Sequence, residues 1–106
     1  MAKKKDKEYV FRAQDFYDLL ESQEYRCALT GRELKPENTT AEHIVPLRMG
    51  GRHEIKNIYL IDQNVSRLKR YLSEEEVIRA AADIVRYRGS DYGFTLSLKG
   101  KKRVRK

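Results

Sequence analysis

The stretch Glu42-His43-Ile44-Val45-Pro46-Leu47-Arg48-Met49-Gly50-Gly51 decides the fold of this chain of 106 residues. Its first part, residues 41–46, predicts a β-strand that ends at Pro46, because proline cannot donate a hydrogen bond to a neighbouring strand. The two glycines permit a turn with positive φ, so the chain can reverse direction there. The stretch therefore predicts a strand that carries a histidine and a carboxylate, followed by a reversal.

The residues that follow supply a partner strand and a helix. Asn57-Ile58-Tyr59-Leu60-Ile61 is apolar and rich in β-forming side chains, which predicts a second strand antiparallel to the first. A helix is then predicted from residues 62–65 to about residue 72, with Val65, Leu68 and Leu72 at helical spacing toward the core. We therefore expect an α+β fold with a ββα core.

Helices are also predicted on both sides of this core in the sequence. From Arg12 to about Tyr25, apolar residues recur at i, i+3 and i+4, which is typical of an amphipathic helix, and its outward face is acidic. Residues 73–89 begin with a capping box and end at a glycine, which predicts a C-terminal helix. We divide the chain into a disordered basic N-terminus, one folded domain and a basic C-terminal tail: residues 1–8, 9–98 and 99–106.

The net charge of +7 is distributed unevenly along the chain. Residues 1–8 have four lysines against two acids and residues 99–106 have six basic side chains and no acid, which leaves the domain between them at −1. Within that domain, residues 44–72 have six basic side chains against two acids, a local charge of +4. Basic side chains around the candidate site favour a polyanionic partner such as nucleic acid.

Composition excludes several other classes of protein. The single cysteine, Cys27, rules out an intramolecular disulfide and a four-cysteine zinc site, and it indicates a reducing compartment. No apolar run is long enough for a membrane span or a signal peptide. We therefore expect a cytoplasmic protein with no membrane partner.

His43 and Asn57 are the side chains best suited to catalysis. Neutral imidazole accepts a proton near neutral pH without a large pKa shift, which suits His43 as a general base. Asn57 has a donor and an acceptor and can tie the loop to the histidine strand. Glu42 points to the opposite face from His43 in regular pleating, so both serve one site only if the strand bends. The alternatives are a structural or solvated histidine and a simple turn asparagine.

These residues resemble the motif of the HNH endonucleases, the ββα-metal nucleases of phages, mobile elements and CRISPR effectors. The resemblance covers about residues 14–78 and rests on Glu42-His43-Ile44-Val45-Pro46-Leu47, Gly50-Gly51, Asn57-Ile58-Tyr59-Leu60 and Arg67-Leu68-Lys69, preceded by Tyr25-Arg26-Cys27-Ala28-Leu29-Thr30-Gly31 as in small phage members. It implies a ββα-metal core that cleaves or nicks DNA with a divalent metal ion, Mg²⁺ or Mn²⁺.

The resemblance also implies roles for individual residues. His43 would be the general base, Glu42 a ligand of the divalent metal ion, and Asn57 the side chain that supports the loop. Together with the local basic cluster, it predicts nucleic-acid contacts from four side chains: Arg48, Arg67, Lys69 and Arg70.

The sequence departs from the family pattern at two places. The two Cys-x-x-Cys pairs that bind a structural zinc in many members are replaced by Cys27-Ala28-Leu29-Thr30 and Asp62-Gln63-Asn64-Val65, so no structural zinc is expected. The final metal ligand of the family, a histidine or asparagine on the first turn of the helix, falls on Ser66. A serine hydroxyl is a weak ligand beside a carboxylate or an imidazole.

Three side chains near the start of the helix compete for that metal position. We favour Ser66, because Lys69 lies about 60° from it around the helix and stays beside the site. Asn64 lies about 200° from Ser66 and is also suited to be a cap or first-turn residue. Asp62 is a further oxygen donor.

The sequence leaves more than one function open. The first is an endonuclease of low sequence specificity that acts on double-stranded DNA in a bacterial or phage-infected cell. The second is a catalytically impaired HNH-fold protein that binds DNA or takes part in phage or defence assembly, because Ser66 stands where a ligand is expected. A third is a protein-binding module that docks through the acidic face of its first helix. We interpret His53 as a surface loop residue, with phosphate contact as the alternative.

Overall fold

The computed structural model describes residues 8–99, which form an α+β structure with two antiparallel strands and three α-helices. The predicted α+β class and the antiparallel pairing of the two strands are therefore confirmed. The predicted basic tails fall almost wholly outside the described residues, in 1–7 and 100–106. The elements in chain order are α1 (Ala13–Ser22), β1 (Thr39–His43), β2 (Ile58–Asp62), α2 (Gln63–Lys69) and α3 (Glu74–Arg88).

β1 ends at His43, so the prediction that the strand continues to Pro46 is wrong. The next amide, that of Ile44, still donates to the Asn57 carbonyl at 2.8 Å. The Val45 amide then donates to the side chain of Asn57 instead of to a strand carbonyl. A side chain has thus replaced the neighbouring backbone as acceptor, and the ladder stops before the proline.

The register of the sheet fixes where the candidate residues lie. His43, the last residue of β1, pairs with Ile58, the first residue of β2. Asn57 was expected inside this second strand, but it ends a short 3₁₀ turn that precedes it (Ile55–Asn57). The histidine and the asparagine therefore lie together at the end of the sheet where the loop connects the two strands.

The core lies between α1 and the two-stranded sheet. Phe16 and Leu19 of α1 pack against it, which confirms the predicted amphipathic helix. Just after α1, the Gln23 amide donates to the Leu60 carbonyl and accepts from the Leu60 amide, both at 2.9 Å, so that side chain fixes the helix to β2. Five side chains that are at most 3% exposed form the core: Leu20, Cys27, Leu34, Leu60 and Ile61.

α2 begins after Asp62, whose side chain caps it by accepting a backbone amide of the first turn at 2.7 Å. The prediction that Leu68 faces the core is wrong, because its side chain is 78% exposed while that of Lys69 is 1% exposed. Lys69 lies about 40° from the half-buried Val65 around the helix, so these two share the inward face. The inward face of α2 therefore carries the ammonium group of Lys69, where the sequence predicts the side chain of Leu68.

Residues 75–99 belong to a second compact unit. It contains most of α3, none of whose side chains is buried. Ile78 and Ile84 are 54% and 64% exposed, and Arg79 forms an ion pair with Glu75 one turn earlier.

Among the described helices, none combines the length and the apolar composition that crossing a bilayer requires.

Candidate functional site

Asn57 holds the loop between the two strands. Its Oδ1 accepts the Val45 amide at 2.8 Å, and its Nδ2 donates to the carbonyls of Val45 at 3.0 Å and Arg52 at 2.8 Å. The residue is 9% exposed, so these bonds form away from bulk water. Because both polar atoms of the buried amide have partners, Asn57 is a fixed part of the loop and not a solvated turn residue.

The two glycines of this loop are required for different reasons. Gly50 has a φ of +91°, in the left-handed region that glycine adopts without strain. A Cβ on Gly51 would lie 1.9 Å from the Val45 carbonyl oxygen and 2.9 Å from the side-chain nitrogen of Asn57. The loop therefore closes around Asn57 because position 51 has no side chain.

Glu42 faces α2, where it has two partners. The Ser66 hydroxyl donates to its Oε2, and the Lys69 ammonium lies 3.7 Å from its Oε1. The Lys69 side chain is 1% exposed and that of Glu42 is 18% exposed. Because a buried ammonium needs a nearby negative charge, the pair is mutually neutralising. The sequence predicts Lys69 as a phosphate contact, and in the structure its partner is this carboxylate.

His43 ends β1 with its imidazole against that of His53. The two rings meet through His43 Nε2 and His53 Nδ1, which are 2.9 Å apart, with 69° between the ring planes. Partial burial lowers the pKa of His43, and repulsion from the charged form of His53 and from Lys69 lowers it further, against an opposing effect of Glu42. His43 is therefore neutral near neutral pH, which is the form that accepts a proton.

Glu42 and His43 line the same cleft, which has a volume of about 230 Å³. Regular pleating directs adjacent side chains to opposite faces, yet both residues reach this cleft, which lies at the end of β1. Lys69, Arg48 and Arg70 also line the cleft. A carboxylate, a neutral imidazole and basic side chains thus meet at one opening.

Tyr71 lies beside the two arginines of the cleft. The Arg48 guanidinium is 5.7 Å from the centroid of its ring, and Arg48 Nε donates to the Tyr71 carbonyl at 3.0 Å. The Arg70 guanidinium is 6.0 Å from the same centroid. Guanidinium groups at these distances from an aromatic face are held by cation–π attraction, so Tyr71 orients both charges at the cleft.

The other side chains proposed for the metal position are directed elsewhere. Asn64 is exposed in the first turn of α2, and its Oδ1 accepts from Arg67 at 3.1 Å. Asp62 is engaged as the cap of the helix. Of the three, Ser66 is the one with a described contact to Glu42. The structure therefore brings together Glu42 and Ser66, while Asn64 and Arg67 pair with each other.

The oxygen donors of Glu42 and Ser66 suit Mg²⁺. Both are hard ligands, and Mg²⁺ is commonly bound by one or two carboxylates together with water and substrate phosphates. Within residues 8–99, no three His, Cys, Asp or Glu side chains cluster in a way that would hold a metal ion. A divalent ion at Glu42 would therefore need ligands from water or from a bound molecule besides these two side chains.

Cys27 is buried, and its sulfur contacts two separate segments of the chain. Its Sγ accepts the amides of Thr30 and Asp62, each at 3.4 Å. Burial raises the pKa of the Cys27 thiol, but hydrogen bonds from Thr30, Asp62 and Leu29 outweigh this effect and lower it. Hydrogen bonds to one buried sulfur thus connect the turn after α1 to the start of α2.

Sequence reasoning missed two features of this site. His53 is exposed, as a surface loop residue should be, yet its ring contacts His43. The available signal was the position of His53 on the loop between the two predicted strands. Asn57 closes this loop, and the closed loop brings His53 back to the end of β1. The burial of Lys69 was also missed, although its spacing of four residues from Val65 places both on one helical face.

The chain matches no protein-family model and no curated protein. A fold of this simplicity does not specify a function. The functional argument therefore depends on the chemistry and geometry of the cleft.

Proposed function

We propose that this protein is a small ββα-metal nuclease of the HNH type that hydrolyses or nicks DNA with Mg²⁺ or Mn²⁺. The observation that carries the proposal is the convergence of Glu42 and His43 on one cleft lined by basic side chains. Phosphodiester cleavage needs a base, positive charge beside the phosphate and groups that hold the reactants in line. The cleft contains a suitable side chain for each task.

His43 is the general base in this proposal. The attacking water gives a proton to the neutral imidazole as its oxygen bonds to phosphorus, and the bond from phosphorus to the 3′ oxygen breaks. The leaving oxygen takes a proton from solvent, so that one water is consumed and no net charge is created on the protein once His43 is deprotonated again. Asn57 contributes indirectly, because it fixes the loop that begins next to His43.

Glu42 and Ser66 would hold the divalent ion. When bound, the ion supplies positive charge that offsets the negative charge developing on the phosphate and the leaving oxygen. Lys69 contacts the same carboxylate, so an ion at Glu42 must compete with a buried ammonium. We therefore expect metal affinity in the free protein to be low and to rise when DNA phosphate completes the coordination.

Arg48 and Arg70 are expected to contact the phosphate backbone, with Arg67 as a further contact on α2. Contacts of this kind orient the DNA and give salt-sensitive affinity, but they do not read base sequence. Double-stranded DNA cut with little sequence preference is therefore the proposed substrate.

Conversion of supercoiled plasmid to open circles tests this proposal. Wild-type protein is expected to nick in Mg²⁺ or Mn²⁺ and to lose activity in excess chelator, while His43→Ala is expected to lose roughly 10²- to 10⁴-fold in rate, the usual contribution of a general base. Arg79→Ala, on the exposed surface of α3, is the control for preparation and should nick as the wild type does. Equal nicking by His43→Ala and wild type would refute the role of His43.

The contacts of Glu42 also favour a second candidate, a DNA-binding protein of the same fold with impaired catalysis. Ser66 and Lys69 satisfy this carboxylate without a metal ion. This candidate predicts salt-sensitive DNA binding with no metal-dependent turnover in the wild type. Ser66→Asn or Ser66→His would then give a large gain in plasmid nicking, whereas little gain is expected if the wild-type site is already complete.

A further inference from the structure

We propose that His53 is a positioning residue for the general base: it accepts a hydrogen bond from His43 Nε2 and leaves Nδ1 of His43 free to take a proton. This inference rests on the proposed function, because it concerns how His43 acts in that reaction. Its basis is the 2.9 Å separation of His43 Nε2 and His53 Nδ1. At that distance the two nitrogens share one proton between them.

The chemistry of imidazole decides which ring must donate. A neutral imidazole has one N–H and one lone pair, on different nitrogens. If His53 donated through Nδ1, the lone pair on His43 Nε2 would accept that hydrogen bond, and Nδ1 of His43 would carry the proton of the ring. His43 would then have no nitrogen free to act as a base. If His43 donates through Nε2, its Nδ1 has a free lone pair. Base catalysis by His43 therefore requires His53 to be the acceptor.

The same hydrogen bond stabilises the product of proton transfer. Once His43 has taken a proton it is an imidazolium, and its Nε2–H becomes a charge-assisted donor to the neutral His53 ring. A hydrogen bond that strengthens as charge develops lowers the barrier, because it is stronger in the transition state than in the ground state. His53 thus has the orienting role that a carboxylate has in a serine-protease triad.

The surroundings of His53 hold its ring in place for this role. The Tyr9 ring lies against it with 5.3 Å between centroids, and the Tyr9 hydroxyl is anchored by donating to Asp15 of α1 at 2.8 Å. The residue before His53, Arg52, is fixed through its carbonyl, which accepts from Asn57. Besides its contact with His43, His53 is therefore held by the Tyr9 ring and by the fixed backbone that precedes it.

Nitrogen NMR of the imidazole rings tests the pairing directly, because the chain has just two histidines. At a pH of about 8, above the ordinary histidine pKa of about 6.5, we expect the long-range ¹H–¹⁵N spectrum of the wild type to show His43 protonated on Nε2 and His53 unprotonated on Nδ1. In His53→Ala, the His43 nitrogens should shift toward the averaged values of two exchanging tautomers. A spectrum in which His53 carries its proton on Nδ1 would overturn the inference.

Kinetics of plasmid nicking provide the second arm. His53→Ala should lower kcat by roughly 10- to 100-fold, less than loss of the base itself, and leave KM for DNA nearly unchanged. His53→Asn can offer an amide oxygen at the position of Nδ1 and should recover most of the lost rate. Glu54→Gln, the neighbouring residue on the loop, is the matched control and should retain the wild-type rate.

The two arms separate failure of this inference from failure of the proposed function. If the wild type nicks no DNA, the proposed function fails and the nitrogen spectra alone decide whether His53 accepts from His43. If the wild type nicks and His53→Ala is unimpaired, His53 does not position the base. A loss of rate in His53→Ala that His53→Asn does not recover, together with unchanged His43 nitrogens, would also overturn the inference, since it indicates a general disturbance of the loop.

Discussion

Asn57 and Lys69 are both polar side chains that the fold buries, but their partners differ in kind. Asn57 makes three hydrogen bonds, all to backbone atoms of the loop between β1 and β2. Lys69 is 1% exposed and pairs with a side chain, the Glu42 carboxylate, at the edge of the cleft. The polar atoms of Asn57 are thus paired with backbone atoms. The Lys69 ammonium is paired with one carboxylate, that of Glu42, which is also the side chain that we propose as a metal ligand.

Asn57 therefore belongs to a fixed part of the site, whereas Glu42 and Lys69 belong to a part whose contacts can change. The backbone partners of Asn57 are present whenever the loop is closed, and they do not depend on pH, salt or ligand. A divalent ion held by Glu42, as we propose, would compete with the Lys69 ammonium for the same carboxylate, so the contacts of Glu42 would depend on what is bound. Four sets of substitutions and conditions test this contrast.

The largest expected effect on stability comes from breaking the charged pair on one side. Glu42→Gln leaves the Lys69 ammonium buried without a counter-charge and should cost about 3 kcal/mol in free energy of unfolding, measured with urea. Adding Lys69→Met to this variant should recover most of that loss, because the uncompensated charge is gone. Glu75→Gln breaks an exposed pair with Arg79 and should cost less than about 0.5 kcal/mol. Equal losses in the two single variants would contradict a buried pair.

Loss of the backbone partners of Asn57 should be the next largest effect. Asn57→Ala leaves the Val45 amide and two carbonyls without their side-chain partner and should cost about 2 kcal/mol. Asn57→Asp keeps an acceptor for the Val45 amide but turns a carboxylate oxygen toward two carbonyls, so it should be at least as unstable. Urea unfolding of both variants checks this prediction, which fails if Asn57→Ala is as stable as the wild type.

Substitutions of Gly50 and Gly51 test how closely the loop packs around Asn57. Gly51→Ala should cost about 1.5 kcal/mol, because its Cβ meets the Val45 carbonyl and the loop must shift away from Asn57. Gly50→Ala has open space around the added Cβ and meets only the strain of positive φ, about 1 kcal/mol. Thermal unfolding of the two variants measures the difference. A reversed order would show that the closure on Asn57 is looser than the structure indicates.

The smallest expected effect is a dependence of stability on pH. Because the pKa of His43 is lowered in the folded state, the unfolded chain takes up a proton first as pH falls through the ordinary histidine value of about 6.5. The free energy of unfolding should therefore be highest above that value and decrease as pH falls from about 7 toward the lowered pKa. His43→Gln should flatten this slope. A wild-type slope of the opposite sign would contradict the lowered pKa.

Local patterns were sufficient to predict the elements of the fold. Runs of β-forming residues on either side of a glycine turn predicted two antiparallel strands, although β1 (Thr39–His43) lies two to three residues before the predicted range 41–46. The apolar spacing of Phe16, Leu19 and Leu20 predicted α1. The end of β1 was not predictable in this way, because it depends on the Asn57 side chain reaching back twelve residues to Val45. The inward face of α2 also escaped prediction, since hydropathy places Leu68 inside and does not register the Glu42 charge that Lys69 meets across the fold.

Part of the candidate site followed from the family resemblance. The resemblance placed Ser66 at the position of the last metal ligand, and in the structure the Ser66 hydroxyl contacts Glu42. The contact of His53 with His43 joins residues ten apart through a closed loop, which no periodicity encodes. The contact between His43 and His53, on which the proposed mechanism depends, is therefore determined by the tertiary fold and not by a local sequence pattern.

Chemical rescue measures the central claim most directly, namely that the imidazole at position 43 takes the proton in DNA cleavage. Plasmid nicking by His43→Gly in Mg²⁺ would be measured with and without added imidazole, beside the wild type. We predict that His43→Gly is nearly inactive and that neutral imidazole restores its nicking while leaving the wild type unchanged. Nicking by His43→Gly at the wild-type rate without imidazole would contradict it.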